Sequence, residues 1–339
     1  MCIFALNMNK LARALMMALV MLQSVSVCSQ NVEKGHLYAV LVNGGRNRLT
    51  NHERYWNDCA FLYRTLRHTF HILKRNITVL MSDGGDPAED MLRADARGFK
   101  SSPTDLDGDG QPDVDFAATE QALSQVLIKL SKQLTIEDHL FLFVVDHGGS
   151  KDKKNDSFIW LWDDKQLSDK HLGLLLNLFD IGSMNILMGQ CYSGGFYDEL
   201  AGDRRIVTTA CKGDEQSWTC PDKPYDEFVY HWICAVNGAD EEGNRVNSDI
   251  NGDGKVSMEE AWVYAMNHDR VNESPMYGPQ PWELGRQWTF NDILTDIDLS
   301  SDSDLPAEIW SLSGVRRQDS SRHGVFILRQ GNKTRKVIR

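Results

Sequence analysis

Two apolar runs that each stop abruptly at a glycine-rich turn constrain this chain more than any other feature. His139 to Val145 reads HLFLFVV and ends at Asp146-His147-Gly148-Gly149, and Asn185 to Met188 ends at Gly189-Gln190-Cys191-Tyr192-Ser193-Gly194-Gly195. Short continuous apolar runs bounded by turn residues are strands buried on both faces, as in parallel sheets of α/β domains. Between them, Leu172, Leu175, Leu176 and Phe179 recur at helical spacing within Asp169 to Phe179, which is the crossover that a parallel pair needs. Ligands of such sheets bind beyond the carboxyl ends of the strands, so neighbouring strands would bring His147 and Cys191 to one functional edge.

Those two residue types make a nucleophile and its proton partner. A thiol attacks as thiolate, and it needs a nearby imidazole and backbone donors that stabilise a developing oxyanion. Gly148 and the glycines flanking Cys191 let backbone N–H groups approach a substrate carbonyl, since no Cβ intervenes. Taken singly, a turn histidine or a buried thiol is the commoner role. It is the pairing at two strand ends that favours catalysis.

DHGGS (Asp146 to Ser150) after one strand and GQCYSGG (Gly189 to Gly195) after the next resemble the legumain family of cysteine peptidases, relatives of the caspases in the caspase-hemoglobinase fold. The resemblance runs from about His36 to Trp232 and includes TACKGDEQSW (Thr209 to Trp218), similar to the family's substrate-pocket strand. It implies Cys191 as nucleophile, His147 as catalytic histidine, and an oxyanion hole from the Gly148 and Cys191 N–H groups. It also implies a pocket. Arg54 in RYWND resembles the family's post-strand arginine, although Tyr55 stands where the family usually has His; Ser217 matches the pocket-wall serine, and Asp226 falls where the family has a pocket acid. The family's usual Glu two residues before the nucleophile is Gly189 here. An Asp opposite an Arg would hold the two ends of a side-chain amide, favouring asparagine, whereas an exposed Asp226 without the missing Glu would prefer a basic side chain. A surface ion pair is the commoner fate of such residues.

The rest of the chain alternates strand and helix, which indicates a doubly wound, mostly parallel α/β domain. Leu37 to Val42 is the first strand. Tyr55, Cys59, Leu62, Tyr63, Leu66 and Phe70 then mark one face of a helix, Ile77 to Met81 a second strand, and Ala122 to Leu134 another amphipathic helix. Phe158 to Trp162 reads as a hairpin strand beside the active edge and Arg205 to Ala210 as a further sheet strand; a helix surrounds Phe228, Trp232 and Val236.

Asp249 to Glu260 fills an EF-hand loop position by position: Asp249, Asn251, Asp253 and Ser257 at 1, 3, 5 and 9, the Lys255 carbonyl at 7, Gly254 at the sharp turn and Glu260 as the closing ligand. Calcium is therefore the expected cofactor, with no organic one. Asp105 to Asp113 begins the same way, but Phe116 occupies the closing position and Asp115 lies one residue short. A partial calcium loop and a plain acidic loop are equal readings there.

A net charge of −12 argues against a nucleic-acid partner. Lys10 and Arg13 precede an apolar run from Ala14 to Leu22 and then small residues, which reads as a signal peptide over 1–29 rather than a spanning helix of the mature chain. The protein is thus expected to be exported to the periplasm, cell surface or medium. Residues 30–299 would form the peptidase domain, and 300–339 a linker and small β tail resembling C-terminal sorting domains of exported Bacteroidetes proteins, hence a link to export machinery. Of the cysteines after the leader, Cys211 and Cys220 alone are close enough in sequence for a local staple. The expected function is a cysteine endopeptidase acting on protein or peptide substrates; a transpeptidase using the same acyl-enzyme, or a catalytically silent calcium-stabilised binding module, are the alternatives.

Overall fold

The computed structural model describes residues 36–152, 156–278 and 283–292, together with four strands between 308 and 338. The leader at 1–29 and the linker at 300–303 lie outside the described residues. Strands β1 (Leu37–Asn43) and β2 (Ile77–Met81) flank helix α1 (Glu53–Arg64), which widens at its end into a π turn over Thr65–Thr69. A two-stranded hairpin, β3 (Met91–Leu92) with β4 (Phe99–Lys100), precedes helix α2 (Glu120–Gln133) and β5 (His139–Val144). Then come β6 (Gly148–Ser150), β7 (Ser157–Leu161) and β8 (Lys165–Ser168), crossover helix α3 (Asp169–Leu176), β9 (Ser183–Met188), the short α4 (Tyr197–Leu200) and β10 (Arg205–Thr209). Helices α5 (Glu227–Asn237) and α6 (Met258–His268), strand β11 (Met276–Gly278) and α7 (Glu283–Gln287) complete this body.

Six strands form the central sheet in the order β11-β10-β9-β5-β1-β2, parallel except for β11. This mostly parallel α/β architecture fits the caspase-like fold that the resemblance implies. Successive residues of a strand face opposite ways, so each central strand feeds two cores. Leu37, Ala39 and Leu41 of β1 and Phe141, Phe143 of β5 pack with α1, α5 and α6, around fully buried Phe228 and Trp232. Val40 and Val42 with Leu140, Leu142 and Val144 pack instead with α2 and α3, through Leu123, Leu127, Leu172 and Leu176. Helices on both faces are what make the strands apolar throughout rather than alternating.

The helix ends follow from short polar caps. Thr119 and Ser168 accept N–H bonds at the starts of α2 and α3, and Ser257 with Glu260 forms a reciprocal capping box at the start of α6. Gly238, in left-handed conformation at φ 71°, closes α5. The crossover helix stops at Leu176, earlier than the periodicity through Phe179 indicates, because Leu178 and Phe179 turn in 3₁₀ fashion. Among the described residues no helix is long and apolar enough to cross a membrane.

Cys211 and Cys220 form no staple: both are free and buried. Near the C-terminus, β12 (Glu308–Ser311), β13 (Arg316–Arg317), β14 (Val325–Gln330) and β15 (Lys333–Ile338) pair antiparallel in the order β13-β12-β14-β15.

Candidate active site

Strand register decides what meets at the sheet edge. β5 and β9 are parallel neighbours, with Val144 opposite Met188. Three further residues along each chain reach His147 and Cys191. The two turns touch through backbone: a Cβ built on Gly148 would stand 2.0 Å from the Cys191 carbonyl oxygen and 2.7 Å from Gln190 Cγ, so only glycine allows this approach. Asp146, fully enclosed, anchors the first turn by accepting N–H bonds from Gly45 at 2.9 Å and His147 at 2.5 Å. Gly148 continues into β6, which pairs antiparallel with β7, so the hairpin around Phe158 does border the edge.

The His147 ring is held on both sides. Nε2 lies 2.9 Å from the Thr50 carbonyl oxygen and Nδ1 3.3 Å from the Tyr55 hydroxyl. His52, at the cap of α1, stacks edge-on against it with centroids 5.4 Å apart. Burial lowers the His147 pKa, the Thr50 carbonyl opposes that shift, and the Arg54 and Arg46 charges add to it. Burial, then Arg54 and His147, bring His52 down to about 4. Both imidazoles are therefore neutral at pH 7.

Cys191 is half-buried, and burial pushes its thiol up from the ordinary value, partly offset by its hydrogen bonding with Ser217. Sγ stands 3.6 Å from the Ser217 carbonyl oxygen and 3.7 Å from its hydroxyl. Ser217 thus sits directly beside the nucleophile candidate. Tyr192, in left-handed conformation at φ 59°, bends the chain after Cys191 and donates its N–H to the Glu215 carbonyl at 2.8 Å, tying the turn to the loop that carries Ser217.

Arg54 and Asp226 meet directly: Nε to Oδ1 is 2.7 Å, and a second Arg54 nitrogen, Nη2, is 2.8 Å from the Tyr55 hydroxyl. They close on each other rather than facing across a gap. Burial works against the Arg54 charge, and Asp226 together with Tyr55 and Asp58 outweighs it, so the guanidinium pKa is raised. Asp58, one helical turn after Arg54 and wholly buried, accepts the Asp226 N–H at 3.2 Å and lies against its carboxylate. Burial and then the Asp226 charge raise the Asp58 pKa well above the carboxylate range, so Asp58 holds the proton while Asp226 faces the cation. The family's Glu has no room at Gly189, where a Cβ would come 2.5 Å from Val229 Cγ2 of α5.

Three participants escaped the sequence reading. Thr50 contributes a backbone carbonyl, which leaves no residue-type signal; His52 sits just outside the helical periodicity. Asp58 was detectable, because its i+4 spacing from Arg54 places both on one side of α1. Farther out, Glu273 accepts the Trp218 N–H at 2.8 Å, and burial followed by the Asp269 charge raises its carboxyl to about 10.

The two acidic loops share one internal pattern. Asp249 accepts from the Gly252 and Gly254 N–H groups at 2.7 and 2.9 Å, and Asp105 from Gly108 and Gly110 at the same distances. In the first loop Asn251 and Asp253 accept from the next turn, Lys255 turns its ammonium outward to Asp292, and the donor set at Asp249, Asn251, Asp253, the Lys255 carbonyl, Ser257 and Glu260 is oxygen only, which suits calcium. Glu260 is engaged locally: Oε2 takes the Ser257 N–H and hydroxyl, and Oε1 takes the Ile250 and Asn251 N–H groups at 3.0 and 3.1 Å. Among the described residues, the acids whose ligand oxygens all lie within 4.8 Å of one another are Asp105, Asp107 and Asp109 of the other loop. Closure fails there for a physical reason: Asp115 accepts the Val79 N–H and the Phe116 carbonyl accepts the Met81 N–H, so the end of that loop is held along β2.

No curated protein matches this chain. Among solved structures it is similar to protein GSU0716 from Geobacter sulfurreducens, at 14% identity and a TM-score of 0.42 over 74% of this chain and 97% of that one. The family model described as the Peptidase C13 family matches residues 37–247, from the first strand of the sheet through both glycine-rich turns to the end of α5 and beyond. A match over that much of the chain makes this protein a member of the peptidase C13 family, the legumain family of cysteine peptidases and related ligases.

Proposed function

We propose that this protein is an endopeptidase in which Cys191 attacks the scissile carbonyl and forms a thioester, with His147 as proton acceptor and then donor. The observation that carries the reading is the convergence of Cys191 and His147 beyond the ends of two adjacent parallel strands, with the Gly148 and Cys191 backbones in contact. In the first half-reaction the Cys191 proton passes to His147, sulfur bonds to the substrate carbonyl carbon, and the protonated imidazole returns the proton to the leaving amine. The N–H groups of Gly148 and Cys191 would face the oxyanion. Water then repeats the sequence and releases the acid.

Arg54, Ser217 and Asp226 line the pocket for the side chain preceding the cleaved bond. Their mixture of a guanidinium and a carboxylate within 2.7 Å of each other favours asparagine, whose amide offers one acceptor and one donor; a basic side chain is the second choice. Calcium belongs to the same reading, held in the loop from Asp249 to Glu260 between α5 and α6 as a structural ion. Export by way of the N-terminal segment and the C-terminal strands completes it, placing the enzyme where millimolar calcium is available.

Cleavage-site profiling on a diverse peptide mixture tests the reading, with Cys191→Ala in parallel. Cuts after asparagine that vanish in Cys191→Ala support it. Preference for large apolar side chains would remove the pocket assignment, and cutting that survives Cys191→Ala would remove the mechanism. Adding an amine nucleophile separates hydrolysis from transpeptidation, because a ligase diverts the thioester into the new amide.

A further inference from the structure

Proton accounting around His147 exposes a competition for its one basic site. The Thr50 carbonyl oxygen only accepts, so Nε2, 2.9 Å away, carries the ring hydrogen. In the neutral ring Nδ1 is therefore the lone pair, and the group 3.3 Å from it is the Tyr55 hydroxyl. Arg54 Nη2, which only donates, lies 2.8 Å from the same hydroxyl oxygen. Tyr55 thus accepts from Arg54 and donates its single proton to His147. The Cys191 thiol, meanwhile, points its proton at the Ser217 carbonyl. Nucleophile and base are each satisfied by a third party. Tyr55 is also the position at which this chain departs from the histidine usual in legumains.

We propose that Tyr55 is a positioning residue that occupies the His147 lone pair until a substrate side chain engages Arg54, so that filling the pocket releases the base to Cys191. The inference rests on the assignment of Cys191 and His147 as nucleophile and base. Arg54 is the shared element, bound to Asp226 through Nε and to Tyr55 through Nη2. A hydroxyl that accepts from a guanidinium is polarised into a better donor, and it weakens as a donor when that partner turns to a substrate amide oxygen. The thiol then competes for Nδ1: its S–H bond breaks, the proton moves to Nδ1, and the electron pair stays on sulfur. Tyr55 keeps its own proton throughout; it is 2% exposed, and burial raises its pKa well above the usual value. The charged and titratable groups facing this cluster are Arg54, Arg46, His52, Asp146, Asp226 and Cys191.

The test is the pH profile of Cys191 alkylation by iodoacetamide in the full chain without peptide, wild type against Tyr55→Phe, read by mass spectrometry of the Cys191 peptide. Phenylalanine keeps the buried ring and removes only the hydroxyl. The midpoint is expected to move to lower pH and the rate at pH 7 to rise about three- to tenfold, the factor that one net hydrogen bond is worth. A purely structural role would not move a thiol titration downwards. A variant profile that overlays the wild type, or lies at higher pH, overturns the role of Tyr55 and leaves Cys191 as nucleophile. No alkylation of Cys191 up to pH 9 in either protein overturns the catalytic assignment and this inference with it. Should Tyr55→Phe fail to fold, ring ¹⁵N spectra of histidine-labelled wild type decide, with His147 assigned by its loss in His147→Gln: a hydrogen-bonded, unprotonated Nδ1 supports the proposal, and an Nδ1–H tautomer overturns it.

Discussion

Substituting Gly148 with alanine should disable the enzyme without touching a reactive group. The added Cβ would stand 2.0 Å from the Cys191 carbonyl oxygen, whereas non-bonded carbon and oxygen rarely approach closer than about 3.3 Å. One backbone must therefore retreat by more than about 1 Å. Neither has slack, because β5 and β9 are locked in register up to Val144 and Met188, four and three residues before the contact. A misplacement of about 1 Å between reacting groups costs on the order of 100-fold in rate. Overpacking of this kind costs about 1–3 kcal/mol of stability, a Tm loss of a few degrees. The assay is kcat/KM on the best peptide from cleavage profiling, beside a melting curve. Gly149→Ala is the control: its Cβ meets the tip of the Phe158 ring, at 2.3 Å, and a ring on the hairpin can rotate away. Gly148→Ala is expected to fall about 100-fold in kcat/KM while Gly149→Ala stays within tenfold. Wild-type kcat/KM and Tm in Gly148→Ala would refute the reasoning, because the turns would then not be in contact.

Glu273→Gln should stabilise the fold, and increasingly so as pH rises. A carboxyl raised to about 10 by burial penalises folding once pH exceeds its ordinary value. The penalty is absent at pH 4, grows through neutrality to at most about 3 kcal/mol at pH 7, and levels off near pH 10; equal melting shifts at pH 4 and pH 8 would contradict this. Asp226→Asn neutralises the partner of Arg54 and is expected to erode the asparagine preference at least tenfold while the alkylation rate of Cys191 changes less, checked by competing peptides in one reaction. Calcium at millimolar concentration should raise the Tm of the wild type and not that of Glu260→Gln, by mass action on the folded state; a chelator without effect on the wild type would end the calcium proposal.

The sheet was legible because both of its faces are covered. Strands fed by two cores, such as β5 with Phe141 and Phe143 on one side and Leu140 and Leu142 on the other, leave an unbroken apolar signature. The short edge strand β11 and the β3–β4 hairpin escaped notice since two or three residues carry no period. At the site, glycines marked the two turns, and the resemblance to the legumain family led to Arg54, Ser217 and Asp226. What the sequence concealed is how those residues are partnered. Arg54 pairs with Asp226 directly, Asp58 holds a buried proton beside them, and the His147 ring is gripped by a backbone carbonyl and a tyrosine hydroxyl. These are tertiary contacts between residues about 90 to 170 positions apart, which no local pattern encodes. The acidic loops taught the reverse lesson. Their ligand spacing was plain, yet the loop with the complete pattern spends Glu260 on its own helix cap, and the incomplete one gathers three carboxylates.

The most direct measurement is the mass of the enzyme after exposure to a peptide carrying asparagine before an electrophilic ketone in place of the cleaved bond. One equivalent of label on Cys191, absent from Cys191→Ala and slowed at least 100-fold in His147→Ala, is the expected result. Label on Cys211 or Cys220 instead, or at an unchanged rate in His147→Ala, would contradict the assignment of Cys191 and His147 as nucleophile and base.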